Sequence, residues 1–147
     1  MAKSLIYSFK SSGTMLPVYG SCKVYDDGLI IVEKGYLLDH NEDKKATKKL
    51  PPSELLKIKR VISDNHQILF IKELEDDGMR ILDGSLETLT FSDGARKKSL
   101  RIDNLYSRLQ EKDYPGRPDT PNLDLLMRTY VQIRKILIDN GVSSDCC

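Results

Sequence analysis

Acidic residues next to glycine are the first chemistry this chain offers. Asp-Gly occurs at 27–28, 77–78, 83–84 and 93–94. Such pairs build either metal loops or turns. An EF-hand calcium loop needs oxygen donors at positions 1, 3 and 5, glycine at 6 and a bidentate glutamate at 12. With Gly78 at position 6, position 12 is Gly84. With Gly28, Gly84 or Gly94 there, position 1 is Lys23, Met79 or Leu89. All these alignments fail, so the pairs are expected to be turns, where Asp and Gly tolerate positive φ.

Other reactive side chains are sparse. The two histidines, His40 and His66, have no Cys or His at zinc-ligand spacing. Cys22 could pair with either as a nucleophile. Its place on the apolar side of an alternating strand instead marks a buried, inert thiol. Phosphate-cradling glycine loops and the G-x-S-x-G elbow are missing. The acidic stretch Glu73–Asp77 is expected to solvate a turn. Glycosidase-type carboxylate pairs are defined in space rather than by spacing. An enzyme with a carboxylate-lined cleft therefore stands as one alternative, with no catalytic residue assigned. No metal or cofactor is expected.

Two basic runs remain: Lys44, Lys45, Lys48 and Lys49, then Arg96, Lys97, Lys98 and Arg101. Side by side, with Tyr7, Tyr25 or Tyr36 for stacking, they would bind an anion or a nucleic acid. Lysines of this kind also stop sheet edges from pairing with other chains. With 23 basic and 22 acidic residues, net +1, the chain has no overall field to attract nucleic acid or anionic lipid. The expected partner is another protein, and neither nucleic acid nor membrane.

These residues need elements to hold them. A chain of 147 residues, 39% apolar and 31% charged, suits one soluble domain. Its apolar runs are too short for a membrane span, and its first residues do not form a secretory signal. The expectation is a cytoplasmic protein. Residues 4–9 read as a strand, and 18–32 as a hairpin turning at Asp26-Asp27-Gly28. Residues 39–49 read as a polar loop. A Pro-led helix follows, with Ser53 as cap and Leu55, Leu56, Ile58, Val61 and Ile62 as its apolar stripe. Residues 67–74 read as a strand, with 79–82 pairing back, and 85–102 as a hairpin around Asp93-Gly94. After a proline-rich loop, Thr120-Pro121 starts a last helix that stops at Gly141. Its stripe is Leu123, Leu126, Tyr130, Ile133 and Leu137.

Hairpins plus two helices predict an α+β domain over 1–142, a mainly antiparallel sheet with both helices packed on one face. Three cysteines, two of them adjacent at 146–147, give no disulfide framework. Residues 143–147 are expected to be a flexible, oxidisable tail. Cys-Cys there is similar to the prenylation signal of Rab-type GTPases, but the P-loop of those proteins is missing.

The order "IYSFKSSGTMLPVYGSCKVYDDG", then "LPPSELLKI", then a strand and "LTFSDG" resembles a group of small bacterial proteins. More remotely it resembles the emfourin-type inhibitors of thermolysin-like metalloproteases. The shared features, over residues 5–102, are a first strand ending near Gly13, a Pro-led helix with Glu54-Leu55, and a strand pair at an Asp-Gly turn. The resemblance implies a non-enzymatic, protein-binding role and carries over no site residue.

Overall fold

Alternating side chains and tight turns build the sheet. The computed structural model describes residues 3–13, 18–36, 44–79, 84–144 and 146–147. Its strands are β1 (Leu5–Gly13), β2 (Val18–Tyr25), β3 (Leu29–Tyr36), β4 (Lys44–Lys49), β5 (Ser85–Ser92) and β6 (Lys97–Asp103). They form one antiparallel sheet in the order β4-β3-β2-β1-β5-β6. The helices are α1 (Pro52–Asp64), α2 (Leu105–Gln110) and α3 (Pro121–Asp139), with a 3-10 helix at His66–Phe70. This is the expected α+β fold with one more helix than the sequence suggested.

Three of the four Asp-Gly pairs are turns. Gly28, Gly78 and Gly94 have φ of 91°, 79° and 95°. The aspartates hold those turns by accepting backbone N–H groups: Asp27 from Leu29, Asp77 from Met79, and Asp93 from Ala95 and Arg96. Gly84 is different. It is not at positive φ, and a Cβ there would lie 1.2 Å from Asn104 Oδ1. Glycine is needed because the Asn104 side chain fills that space to accept the Ser85 N–H at 2.9 Å. Residues 81–83, and the return strand expected at 79–82 from residue 80 onward, lie outside the described residues.

The inward sheet side carries Tyr7, Phe9, Cys22, Val24, Ile30, Leu89 and Phe91, all buried. Against it pack Leu55, Ile58 and Ile62 of α1 and all five expected stripe residues of α3. Each such side chain contributes roughly 1.5–3 kcal/mol by leaving water. Helix α3 ends as expected. Gly141, at φ 89°, donates to Ile138 O, and Val142 N donates to Leu137 O, both at 3.0 Å. That bond pair is a Schellman motif.

Several local expectations are corrected. Residues 67–74 are no strand: Ile68 and Leu69 are consecutive and both buried, whereas a strand would point them to opposite faces. The 3-10 turn sends both into the core. Residues 44–49 are strand β4 rather than loop. All six side chains are exposed, so an edge strand left no alternation to read. The cap of α1 is Pro51 rather than Ser53, since the following proline holds it extended at ψ 148°. Leu56 is 47% exposed and leaves the stripe. The thiols assigned to an accessible tail are buried: Cys146 and Cys147 are each 3% exposed, and Arg134 Nε donates to the Cys147 carbonyl at 2.9 Å.

Candidate functional site

Strand parity sorts the basic runs. β4 and β6 are the two edges of the sheet, five strand spacings or about 24 Å apart. The runs are therefore not side by side. Within each run, alternate residues face opposite ways. Lys45 and Lys49 share the outward side with Glu33 and Leu29, while Lys44 and Lys48 share the inward side with Lys34 and Ile30. Lys97 and Arg101 point outward, opposite Ser92 and Thr88, and Lys98 inward, opposite Phe91.

Two of the four residues that leave the outward side have other roles in reach. Lys48 Nζ lies where a Cβ on Gly141 would be only 2.7 Å away, at the negative end of the α3 dipole. Arg96, in the β5–β6 turn, places its guanidinium 4.4 Å over the Phe70 ring.

The strands between the edges add two cations that the basic runs did not reveal. Lys10 on β1 and Lys23 on β2 are both exposed and outward. They form rows with the others. One row reads Lys45, Glu33, Ser21, Lys10, Thr88, Arg101, and the next Thr47, Ile31, Lys23, Ser8, Thr90, Ser99. The signal was present in the alternation of β2, which puts Tyr19, Lys23 and Tyr25 on one face. Of the three tyrosines considered for stacking, Tyr25 is outward and half-buried, Tyr7 is fully buried on the inward side, and the Tyr36 side chain lies outside the described residues.

This face therefore carries six cations, Lys10, Lys23, Lys45, Lys49, Lys97 and Arg101, against the strand carboxylates Glu33 and Asp103 and the turn carboxylate Asp27, which pairs with Lys49 at 3.5 Å. The remaining outward positions are mostly serine and threonine. All of the packed apolar helix stripes lie on the other side of the sheet.

The carboxylates that could have formed a catalytic cleft have structural work. Beside a cavity of about 530 Å³ stand Glu75, Asp76, Asp103 and Arg108. Glu75 caps α3, accepting the N–H groups of Asn122 at 3.2 Å and Leu123 at 2.9 Å. Asp77, 1% exposed, pairs with Arg108, whose other nitrogens bond Asp103 Oδ1 at 2.8 Å and Asp103 O at 2.7 Å. Burial alone would raise the Asp77 carboxyl, but the Arg108 guanidinium and the Met79 N–H hold it below the usual range.

His66 bonds Asp93 at 3.2 Å on the surface, and His40 lies outside the described residues. Cys22 is fully buried, and burial pushes its thiol well above the ordinary range, with Cys147 and Cys146 adding to the effect. It is a poor nucleophile in that state. Among the described residues no group of three His, Cys, Asp or Glu is placed to hold a metal ion. Nor is any helix there long and apolar enough to cross a membrane.

No protein-family model matches the chain, and no curated protein matches it.

Proposed function

We propose that the protein is a non-enzymatic interaction module whose outward sheet face receives an acidic segment of another protein. The observation that supports this is the sorting of six cations onto one open face of a chain whose net charge is only +1. Charge complementarity of this kind steers encounter and sets partner choice. Glu33 within the central row, and a Tyr19–Tyr25 separation of about 20 Å along one strand, suit a protein surface of mixed sign better than a phosphate track with stacked bases. The resemblance to emfourin-type inhibitors makes a thermolysin-like metalloprotease one partner to assay.

The test is binding of poly-L-glutamate, with a single-stranded oligonucleotide as rival probe at the same salt. Lys10→Glu with Lys23→Glu should weaken polyglutamate binding by about tenfold or more and flatten its salt dependence. The control, Lys59→Glu with Arg60→Glu on the exposed side of α1, changes net charge equally and should weaken it far less. Equal losses in both variants would reduce the effect to net charge. Tighter binding of the oligonucleotide would move the function to nucleic acid.

A further inference from the structure

Strand β4 ends the sheet, so one side of its backbone has no strand beside it. The register shows which residues face that side. Leu50 N donates to Gly28 O at 2.8 Å, and the β3–β4 pairs continue the same register as Ile30 with Lys48, Val32 with Ala46 and Lys34 with Lys44. Antiparallel ladders alternate hydrogen-bonded with non-hydrogen-bonded pairs. Lys44, Ala46 and Lys48 therefore direct their main-chain groups to β3, and Lys45, Thr47 and Lys49 direct theirs to the open edge. Among the described residues no backbone group bonds them there.

The side chains of β4 restrict what can pair with that edge. All six are exposed, four are lysines and none is acidic. Lys45 and Lys49 flank Thr47 on the outward side, and Lys44 and Lys48 flank Ala46 on the inward side. Among the described residues only Lys49 of the four forms an ion pair, with Asp27 at 3.5 Å. Edge lysines turn away neutral and basic strands, a second copy of β4 included. They favour one chemistry, because opposite charges directly across an antiparallel pair attract. The other edge does not suit the same occupant. The 3-10 helix packs against β6, and Glu75 and Asp76 share a cavity with its Arg101 and Asp103.

We propose that β4 takes an acidic, extended segment of a partner protein as a seventh, antiparallel strand of the sheet. The main-chain groups of Lys45, Thr47 and Lys49 hold the segment, and the four lysines select carboxylates on both of its faces. Read opposite Lys49 back to Lys44, the complementary order is Glu-Glu-Thr-Val-Glu-Glu. This inference rests on the reading of the outward face as a receiver of acidic segments and specifies how the segment is gripped. Lys45 and Lys49 belong to both the face and the edge.

The test uses the full chain and two end-capped peptides of that sequence. One is unmodified, and the other carries N-methyl groups on the three amides that face β4, which keeps every charge. Three lost hydrogen bonds should weaken the methylated peptide by about tenfold or more. Saturation with the unmodified peptide should slow amide exchange at Lys45, Thr47 and Lys49 by about tenfold or more. Thr47→Pro removes one edge-facing N–H and leaves the β3 ladder intact, a change that edge strands tolerate. It should weaken the peptide, whereas Thr47→Val should bind like the parent protein. Equal binding of the two peptides, or no slowed amide in β4, overturns the strand addition, and the outward-face reading then stands if Lys10→Glu with Lys23→Glu still weakens both. Binding of neither peptide also overturns it, and polyglutamate binding then decides the outward-face reading by itself.

Discussion

Replacing Gly84 with alanine would put a Cβ 1.2 Å from Asn104 Oδ1 and 2.2 Å from its Cγ. No small shift relieves such an overlap, so the Asn104 side chain must leave. Ser85 N–H then loses its 2.9 Å acceptor, a loss of roughly 1–3 kcal/mol for a donor out of water. Asn104 sits at φ 54° and begins α2, so moving its side chain also disturbs that helix start. We expect Gly84→Ala to destabilise by about 2–4 kcal/mol. Asn104→Gly removes the same acceptor, but glycine accepts the left-handed φ more readily, so it should cost only about 0–2 kcal/mol. In the double variant the overlap is gone, and stability should equal that of Asn104→Gly alone. Urea midpoints at constant m measure the cycle. If the two costs simply add, the proposed contact between residue 84 and Asn104 does not exist.

Two further predictions concern ionisable groups. The Asp77 carboxyl titrates below its unfolded value of about 3.9, so its contribution is complete above about pH 4 and declines as pH falls through the folded pKa. Asp77→Asn should flatten the acid limb of a melting-temperature profile, and an unchanged limb would show that the Arg108 pair contributes nothing. Cys22, Cys146 and Cys147 are all buried and should resist a thiol reagent until denaturant exposes them together. Fast labelling of any one in the native protein would contradict that packing.

Much of the fold was legible because it rests on local rules. The hairpins of 18–32 and 85–102 follow from alternation plus Asp-Gly, and α3 from a Thr-Pro start, a regular stripe and Gly141. What was missed rests on tertiary context. β4 is a strand only because β3 offers an edge, and its six exposed side chains carry no pattern of their own. The Ile68-Leu69 pair reads equally well as strand or helix until the core on one side is known. α2 starts at Asn104 in a left-handed conformation, set by the contact with Gly84 that no spacing announces. The site residues divide the same way. The basic runs were visible as clusters, but which half of each faces outward depends on strand register, and only the paired strands bring Lys10 and Lys23 between them.

The sheet order also has a consequence for how the chain acquires its fold. β1 is the first strand in sequence, yet it is central in the sheet, pairing Phe9 with Cys22 on one side and with Leu89 on the other. Strands β1 to β4 can zip together from successive neighbours as soon as they exist. The second edge of β1 must wait for β5, beyond α1 and the 3-10 helix. During synthesis from the N-terminus that edge stays open while the intervening segments emerge, and closing it requires a long loop whose entropy is spent before the pairing is gained. Lys10, set in that waiting strand, places a charge where a stray strand would otherwise add on.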